Sequence, residues 1–225
     1  MSLCMKCRFV AVTIGWFSIN TFVFGQIIPE DKILRYEDMV ALLDTTECSL
    51  HKIFIDNDTL AAAFRKAGTH YPELCELRIS LRYGSGKTSM AARPYFWSLL
   101  RKRDRRRYKV IINNDMQKAQ ARLIYATPFD ARVGVMGHEL AHILDYSAKS
   151  GLQVMWTGIC YLGKKYRRTM EHRIDSTAIV RGLGWQLYRY AYFVLHEAQI
   201  DDTYRRYKAD MYMKPEEIYE MIKDE

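Results

Sequence analysis

The sequence predicts an α+β fold, in which a small mixed sheet packs on a central helix and a mostly helical half follows. Three observations support this class: alternating apolar positions between residues 76 and 114, a helical pattern over residues 128–147, and further helical patterns after Gly184. The chain has 225 residues, of which 49% are hydrophobic and 13% aromatic, so it can bury a sizeable core.

The first 25 residues have the layout of a secretory signal peptide. Two basic residues precede an uncharged, mostly apolar stretch from Phe9 to Gly25. We expect cleavage after Gly25, export to the periplasm or the extracellular space, and one mature domain over residues 26–225. An uncleaved membrane anchor is the alternative, since the apolar stretch approaches the ~20 residues that span a bilayer. No later stretch is long enough to span, so no stable membrane insertion is expected after cleavage.

Three cysteines remain in the mature chain: Cys48, Cys75 and Cys160. An odd number in an exported protein permits one disulfide and one free thiol. Cys48 and Cys75 are predicted to pair, on sequence proximity alone. None of the three has the spacing that zinc-binding cysteines show.

Residues 58–67 are predicted to form a helix, because Leu60 and Phe64 recur on one stripe. The strand-rich part of the chain, about residues 70–115, follows this helix. Its alternating apolar positions predict three strands, over residues 76–83, 89–99 and 108–114. Proline has no backbone N–H to donate to a strand ladder, so we expect that Pro94 interrupts the second strand or that this strand lies at an edge of the sheet.

The net charge of the chain is +8, and its densest basic run lies between residues 101 and 107. A nucleic-acid interface would combine such a run with aromatic residues, and Tyr95, Phe96 and Trp97 are nearby. Export argues against that partner. We therefore predict that the run is a solvated hairpin loop between two strands, and that the protein has no nucleic-acid partner.

The helix over residues 128–147 is predicted to begin with Thr127 as its N-cap and Pro128 at its first helical position. Gly134 and Gly137 each weaken a helix of this kind by about 1 kcal/mol. Either these glycines let another segment of the chain pack closely against the helix, or they are merely tolerated. Both interpretations stay open on the sequence alone.

Within this helix lies a His-Glu-x-x-His motif made of His138, Glu139 and His142. Two imidazoles at this spacing project from one helix face and can bind one Zn²⁺ ion. The intervening glutamate lies about 100° around the helix, where it reaches a water held at the metal instead of the metal itself. Uncharged neighbours favour a buried metal-binding helix, because an extra buried charge would compete for the ion. The alternative is a core helix whose histidines are only hydrogen-bonded.

A catalytic zinc ion commonly has three protein ligands and a water, so a third ligand is expected downstream. Glu171 and Asp175 lie one turn apart on a helix predicted over residues 165–182, and they therefore share a face. We predict Glu171 as the ligand, with His172 or Asp175 as the alternatives. A solvated face, in which nearby arginines neutralise both carboxylates, is the interpretation without a metal.

Three more helices are predicted over residues 185–197, 201–210 and 215–223. The first of them carries an aromatic stripe that begins at Trp185 and includes Tyr188. We interpret this stripe as core packing, because aromatic residues at helical spacing commonly face a hydrophobic interior.

The His-Glu-x-x-His motif, followed by Glu-x-x-x-Asp, resembles the pattern of the gluzincins, a group of zincin metallopeptidases. The resemblance covers the middle of the chain and implies a zincin-like fold in a minimal, single-domain form. It implies that His138, His142 and Glu171 bind Zn²⁺. It also implies that Glu139 is the general base and that Asp175 supports the ring of His138.

Gluzincins usually carry a further His or Tyr that stabilises the oxyanion. Tyr146, Tyr166, Tyr188 and His172 are the candidates in this chain, and the sequence does not rank them.

The resemblance implies an exported zinc metallopeptidase that hydrolyses a peptide or protein substrate, with Glu139 as the general base. Two alternatives belong to other classes: a zinc amidohydrolase that acts on a non-protein amide of the cell wall, and a non-catalytic zinc-binding module. The presence of Glu139 argues against the module, because structural zinc needs no general base and usually has four protein ligands.

Overall fold

The computed structural model describes residues 28–43 and 51–224. The predicted signal peptide and Cys48 lie outside the described residues. Cys75 forms a disulfide and Cys160 is a free thiol, but the predicted pairing of Cys48 with Cys75 stays a prediction. Within the described ranges, no helix is both long enough and apolar enough to cross a membrane.

A four-stranded mixed sheet forms in the N-terminal part of the chain, in the order β1-β2-β4-β3. The strands are β1 Lys52–Phe54, β2 Arg78–Gly84, β3 Met90–Pro94 and β4 Arg107–Asn113. Strands β1 and β4 each pair in parallel with β2, whereas β3 pairs antiparallel with β4. Strand β3 is therefore an edge strand of this sheet.

One face of the sheet is apolar and belongs to the hydrophobic core. Ile79 and Leu81 of β2 point to this face, as do Val110 and Ile112 of β4, and each of these side chains is at most 1% exposed. Alternate residues share a face because the side-chain period of a strand is two. Helices pack on this face and complete the core.

Two helices precede the second strand, α1 Tyr36–Leu43 and α2 Asp58–Gly68. Within the described residues, seven α-helices follow the sheet: α3 Ala119–Ala126, α4 Phe129–Ala148, α5 Gly151–Cys160, α6 Lys164–Ala178, α7 Gly184–Tyr192, α8 Asp202–Met211 and α9 Pro215–Ile222. A kinked segment, Ile179–Leu183, follows α6 and contains Gly182 with a φ of 78°, and a short π-helical turn, Phe193–Glu197, extends α7. The predicted α+β class with a mostly helical C-terminal half is confirmed.

The two helices predicted to carry the site are present as α4 and α6, close to their predicted bounds. The predicted N-cap of α4 is wrong. Thr127 instead ends α3, where its backbone N–H and its hydroxyl both donate to the carbonyl of Leu123. Pro128 holds the residue before it in an extended conformation, so α4 begins one residue later than predicted.

The strand prediction needs two corrections. Strand β1 lies before the predicted strand-rich part, and the strand predicted over residues 89–99 ends at Pro94. After Pro94 the chain forms a 3₁₀ helix, Phe96–Leu100, because proline lacks the N–H that would continue the ladder. The basic run lies between the antiparallel strands β3 and β4, as predicted, but it is not fully solvated, because Arg106 is buried and donates a hydrogen bond to the carbonyl of Lys149.

Helix α4 is the central helix and packs against the sheet, α2, α6 and α7. Any side chain at Gly134 would collide with the backbone carbonyl of Gln186 in α7, and one at Gly137 would collide with Leu183. The glycines therefore permit a close approach of the chain that follows α6. This favours the first of the two interpretations left open by the sequence.

Candidate metal centre

His138 and His142 project from α4 toward Glu171 of α6. The three residues are at most 7% exposed, and one donor atom of each lies within 4.8 Å of the others. Nε2 of His138 is 3.1 Å from Oε2 of Glu171, and Nε2 of His142 is 3.4 Å from the same oxygen. The structure thus brings together the three predicted ligands in an arrangement that can hold a metal ion.

The Oε2 atom of Glu171 is buried between the two imidazoles. It makes no hydrogen bond of normal geometry with any part of the chain that the structure describes. The close neighbours of this oxygen are the two imidazole nitrogens, which balance its charge when they are protonated and can bind a metal with it when they are not. A cation at the centre of the cluster would satisfy this oxygen, which supports the metal-binding interpretation over a solvated helix face.

Asp175 orients the ring of His138. Its Oδ1 lies 2.7 Å from Nδ1 of His138, and its Oδ2 accepts a hydrogen bond from the backbone N–H of Met213 at 3.0 Å. A carboxylate that binds Nδ1 fixes the tautomer and leaves Nε2 free to face the metal position. Asp175 therefore lies where the gluzincin resemblance implies, beside the first histidine.

Glu139 is anchored to the edge strand of the sheet. Its Oε2 accepts a hydrogen bond from the backbone N–H of Ala92 at 2.5 Å. The backbone N–H of Tyr95 and the carbonyl of Ser89 bond to β4. Successive residues of an antiparallel strand turn their backbone groups to alternate sides, so the N–H and carbonyl of Ala92 point away from β4. The residue between the two histidines thus joins the central helix to the outer edge of β3.

The carboxylates of the centre control its protonation. Burial acts to lower the pKa of His138, but Asp175 and Glu171 outweigh burial and raise this pKa to about 10. Burial acts to raise the pKa of Glu171, yet the two adjacent imidazoles hold this pKa well below its usual range. A metal ion that binds here must therefore displace a proton from His138.

No family model, curated protein or solved structure matches the chain. The interpretation of the centre therefore depends on the geometry of its own residues. That geometry shows three convergent donor side chains, of which His138 is fixed by a carboxylate on its other nitrogen.

A tyrosine that the sequence does not single out also belongs to the centre. The hydroxyl of Tyr161 donates a hydrogen bond to Oε1 of Glu171, so that Oε2 is the oxygen left to face the histidines. Tyr161 directly follows α5 and lies ten residues before Glu171. No local motif marks this tyrosine, because the contact depends on how the chain folds back between α5 and α6.

The four oxyanion candidates lie in different surroundings. The ring of Tyr146 stacks on His142, with centroids 5.9 Å apart. Tyr166 is on the surface, Tyr188 packs in a second hydrophobic cluster, and His172 lies outside the metal cluster. Of these candidates, Tyr146 is the one with a described ring contact to a predicted ligand, so its position favours it.

Proposed function

We propose that the protein is an exported zinc metallopeptidase of the gluzincin type. The observation that carries the proposal is the convergence of His138, His142 and Glu171 on one point. Zinc bonds of about 2.0–2.2 Å in a tetrahedron place neighbouring ligand atoms about 3.3 Å apart. The separations of 3.1 and 3.4 Å agree with this value. A set of two nitrogens and one oxygen is typical of catalytic zinc sites, which keep a fourth position open.

Glu139 is the general base of the proposed reaction. A zinc ion bound in the centre supplies a Lewis acid, which polarises the scissile carbonyl and lowers the pKa of water. Glu139 accepts a proton from the attacking water and passes it to the leaving amine. Because the N–H of Ala92 holds Oε2, the other oxygen, Oε1, carries this proton.

The outer edge of β3, beside which no other strand of the described residues lies, supports a peptide as the substrate. An extended peptide can add to a sheet edge through backbone hydrogen bonds, whatever its side chains are. The backbone of Ala92 faces this edge and also holds Glu139. A peptide bound there would therefore lie in a defined register relative to the base.

Elemental mass spectrometry of the purified protein tests the metal site. We expect one zinc ion per chain, and loss of zinc in His142→Ala and in Glu171→Ala. His172→Ala is the matched control, because His172 neighbours Glu171 but lies outside the cluster, and it should retain zinc. Zinc that persists in Glu171→Ala would transfer the role of third ligand to another residue. A wild-type protein that takes up no zinc would refute the proposal.

Hydrolysis assays on the zinc-loaded protein test the reaction. Glu139→Gln should retain zinc and lose turnover of peptides, because an amide cannot accept the proton from water. Peptide hydrolysis that survives in this variant, after contaminating proteases are excluded, would remove the role assigned to Glu139. Cleavage of cell-wall fragments in place of peptides would identify an amidohydrolase instead.

A further inference from the structure

A mostly apolar cavity lies beside the metal centre. His138, Glu139 and Asp175 belong to its lining. Leu187, Val194 and Leu195 contribute much of its wall. The cavity is small, about 40 Å³, so it has room for a small polar group such as a carboxylate and not for a drug-sized ligand. The polar groups of this wall therefore indicate which ligand chemistry the cavity can recognise.

Lys208 of α8 lines the same cavity and is 8% exposed. Its Nζ lies 4.1 Å from the ring centroid of Tyr212, and 5.8 Å from those of Tyr190 and Tyr204. Aromatic faces stabilise the charge, but they leave its N–H donors without conventional acceptors. Burial alone would lower the pKa of Lys208, but the tyrosine hydroxyls and Glu171 raise it.

Among the described residues, no carboxylate lies within ion-pair distance of Lys208. The acidic residues of its own helix pair with other cations, Asp210 with Lys164 and Asp202 with Arg205. The aromatic rings and Glu171 stabilise the charge of Lys208, but none of these contacts gives its N–H groups a conventional hydrogen-bond acceptor. An anion that enters the cavity would supply the missing acceptor.

We propose that Lys208 binds a carboxylate of the substrate and thereby selects the peptides that the metal centre cleaves. This inference rests on the proposed function. The carboxylate is either the free C-terminus of a peptide or an acidic side chain near the scissile bond. Both present the same planar anion to the ammonium group.

Calorimetric binding of three acetylated dipeptides tests this inference. The first, acetyl-phenylalanyl-leucine, has a free C-terminal carboxylate, and the second is its amide. The third, the amide of acetyl-phenylalanyl-aspartate, has only a side-chain carboxylate. Glu139→Gln protein is used to prevent turnover, and each titration is made both with zinc and after removal of metal.

We expect one carboxylate peptide to bind on the order of tenfold more tightly than the neutral amide. The peptide that gains affinity identifies the source of the carboxylate. Lys208→Met should abolish the preference, Lys208→Arg should keep it, and the exposed Lys164→Met should leave it unchanged. No preference in the parent protein, or the same preference in Lys208→Met, would overturn the inference.

The same titrations separate this inference from the proposed function. A preference that persists in metal-free protein, combined with failure to bind zinc, would refute the peptidase and leave the carboxylate site standing. Zinc binding without any preference for a carboxylate would refute the carboxylate site and leave the proposed metal site standing.

A second feature is independent of the metal centre. The 3₁₀ helix Phe96–Leu100 and helix α5 touch where Gly151 packs on the carbonyl of Leu99. Together they form an exposed apolar surface, whose large side chains are 59–76% exposed: Phe96, Trp97, Leu100, Leu152, Trp156 and Ile159. Contiguous apolar side chains of this size on a surface indicate an interaction site.

Exposed basic residues flank this apolar surface on both sides. Arg101, Lys102 and Arg103 follow the 3₁₀ helix, and Lys164 and Lys165 follow α5. The chain contains no acidic residue from position 146 to position 170. Tryptophans framed by lysine and arginine have the chemistry of the interface between water and an anionic lipid bilayer.

We infer that the exposed apolar surface docks on an anionic lipid membrane. Quenching of tryptophan fluorescence by brominated phosphatidylcholine, mixed with phosphatidylglycerol, tests the contact in the predicted mature chain, residues 26–225, which lacks the apolar segment Phe9–Gly25. Its tryptophans are Trp97 and Trp156, whose quenching is measured, and Trp185, which is 8% exposed and serves as a buried reference.

We expect quenching that weakens with added salt and in vesicles without phosphatidylglycerol. Trp97→Phe and Trp156→Phe should each remove part of the quenched signal, whereas Trp185→Phe should not. Unquenched fluorescence, or equal quenching by vesicles without phosphatidylglycerol, would overturn the inference. So would a stable dimer that shields both tryptophans without lipid.

Discussion

The Nδ1 atom of His138 and the Oδ1 atom of Asp175 lie 2.7 Å apart, so α6 contacts the ring of His138 on the side opposite the metal position. One turn earlier, the same helix places Glu171 at the other ring nitrogen. Helix α6 therefore both supplies a donor atom and aligns one that belongs to α4. The contact also links the two helices whether or not a metal is bound.

Replacement of Asp175 should weaken metal binding without removing a ligand. Asp175→Asn keeps the shape of the side chain but loses the charge that fixes the tautomer of His138, so we expect a loss of about 10–100-fold in zinc affinity. Competition with a chelator measures this affinity. Asp58→Asn, at an exposed position on α2, is the control and should match the wild type. An unchanged affinity in Asp175→Asn would mean that the carboxylate does not align the ring.

Tyr161→Phe should also lower zinc affinity, although by less. The hydroxyl of Tyr161 holds Oε1 of Glu171, and without it the carboxylate can rotate away from the position where Oε2 faces the histidines. We expect a loss on the order of tenfold or less, since the ligand itself is retained. The exposed Tyr166→Phe serves as the matched variant and should bind zinc normally. Equal affinities for the two variants would contradict this role.

Gly134→Ala should destabilise the fold. Its methyl group would collide with the backbone carbonyl of Gln186, which cannot rotate away as a side chain can. We expect the free energy of unfolding in urea to fall by about 1–3 kcal/mol. Gly158→Ala, in α5, has open space around the new methyl group and should be neutral or stabilise by up to about 1 kcal/mol. Similar changes in the free energy of unfolding at both positions would show that the close approach at Gly134 does not make the substitution there more destabilising.

Asp145 should make stability depend on acidic pH. Its carboxylate accepts hydrogen bonds of 2.6 Å from Lys149 and from Arg173 of α6. Burial acts to raise the pKa of Asp145, but these cations lower it below its ordinary value. A depressed pKa stabilises the fold above the ordinary pKa, and this contribution is lost as pH falls through the folded pKa.

We therefore expect the free energy of unfolding to fall below about pH 4, and to fall less steeply in Asp145→Asn. Urea denaturation over a pH series measures both slopes. The exposed Asp104→Asn should follow the wild type. Parallel curves for Asp145→Asn and the wild type would exclude a contribution from this ion pair.

Periodicity was sufficient to predict the long elements but not the short ones. Helices α4 and α6 have long patterns, and β2 and β4 alternate clearly. Strand β1 has three residues, too few for a period, and forms because β2 offers an edge. Helix α5 was hidden by its glycines, although Ser150 and Gln153 form the capping box that begins it. That motif was legible in the sequence.

In the candidate centre, contacts between the ligand side chains could be predicted from the sequence, whereas contacts to the backbone could not. The spacing of His138 and His142 predicted that these two side chains share a helix face. The choice of Glu171 depended on its spacing to Asp175 and on the gluzincin resemblance. The N–H groups of Ala92 and Met213 also bind side chains of the centre. Every residue except proline has such an N–H group, so the residue type does not indicate which one will take part. Contacts of that kind depend on the packing of distant segments.

The hydrogen bonds to the backbone of Ala92 and of Met213 join residues that lie farther apart along the chain than the members of the ligand cluster do. The donor side chains all belong to the segment 138–171, whereas Ala92 is 47 residues from Glu139 and Met213 is 38 residues from Asp175. Contacts between nearby residues close smaller loops and tend to form earlier during folding. We expect metal capture to precede docking of the sheet edge and of the segment around Met213. Alignment of Glu139 would then be among the last steps in the maturation of the chain.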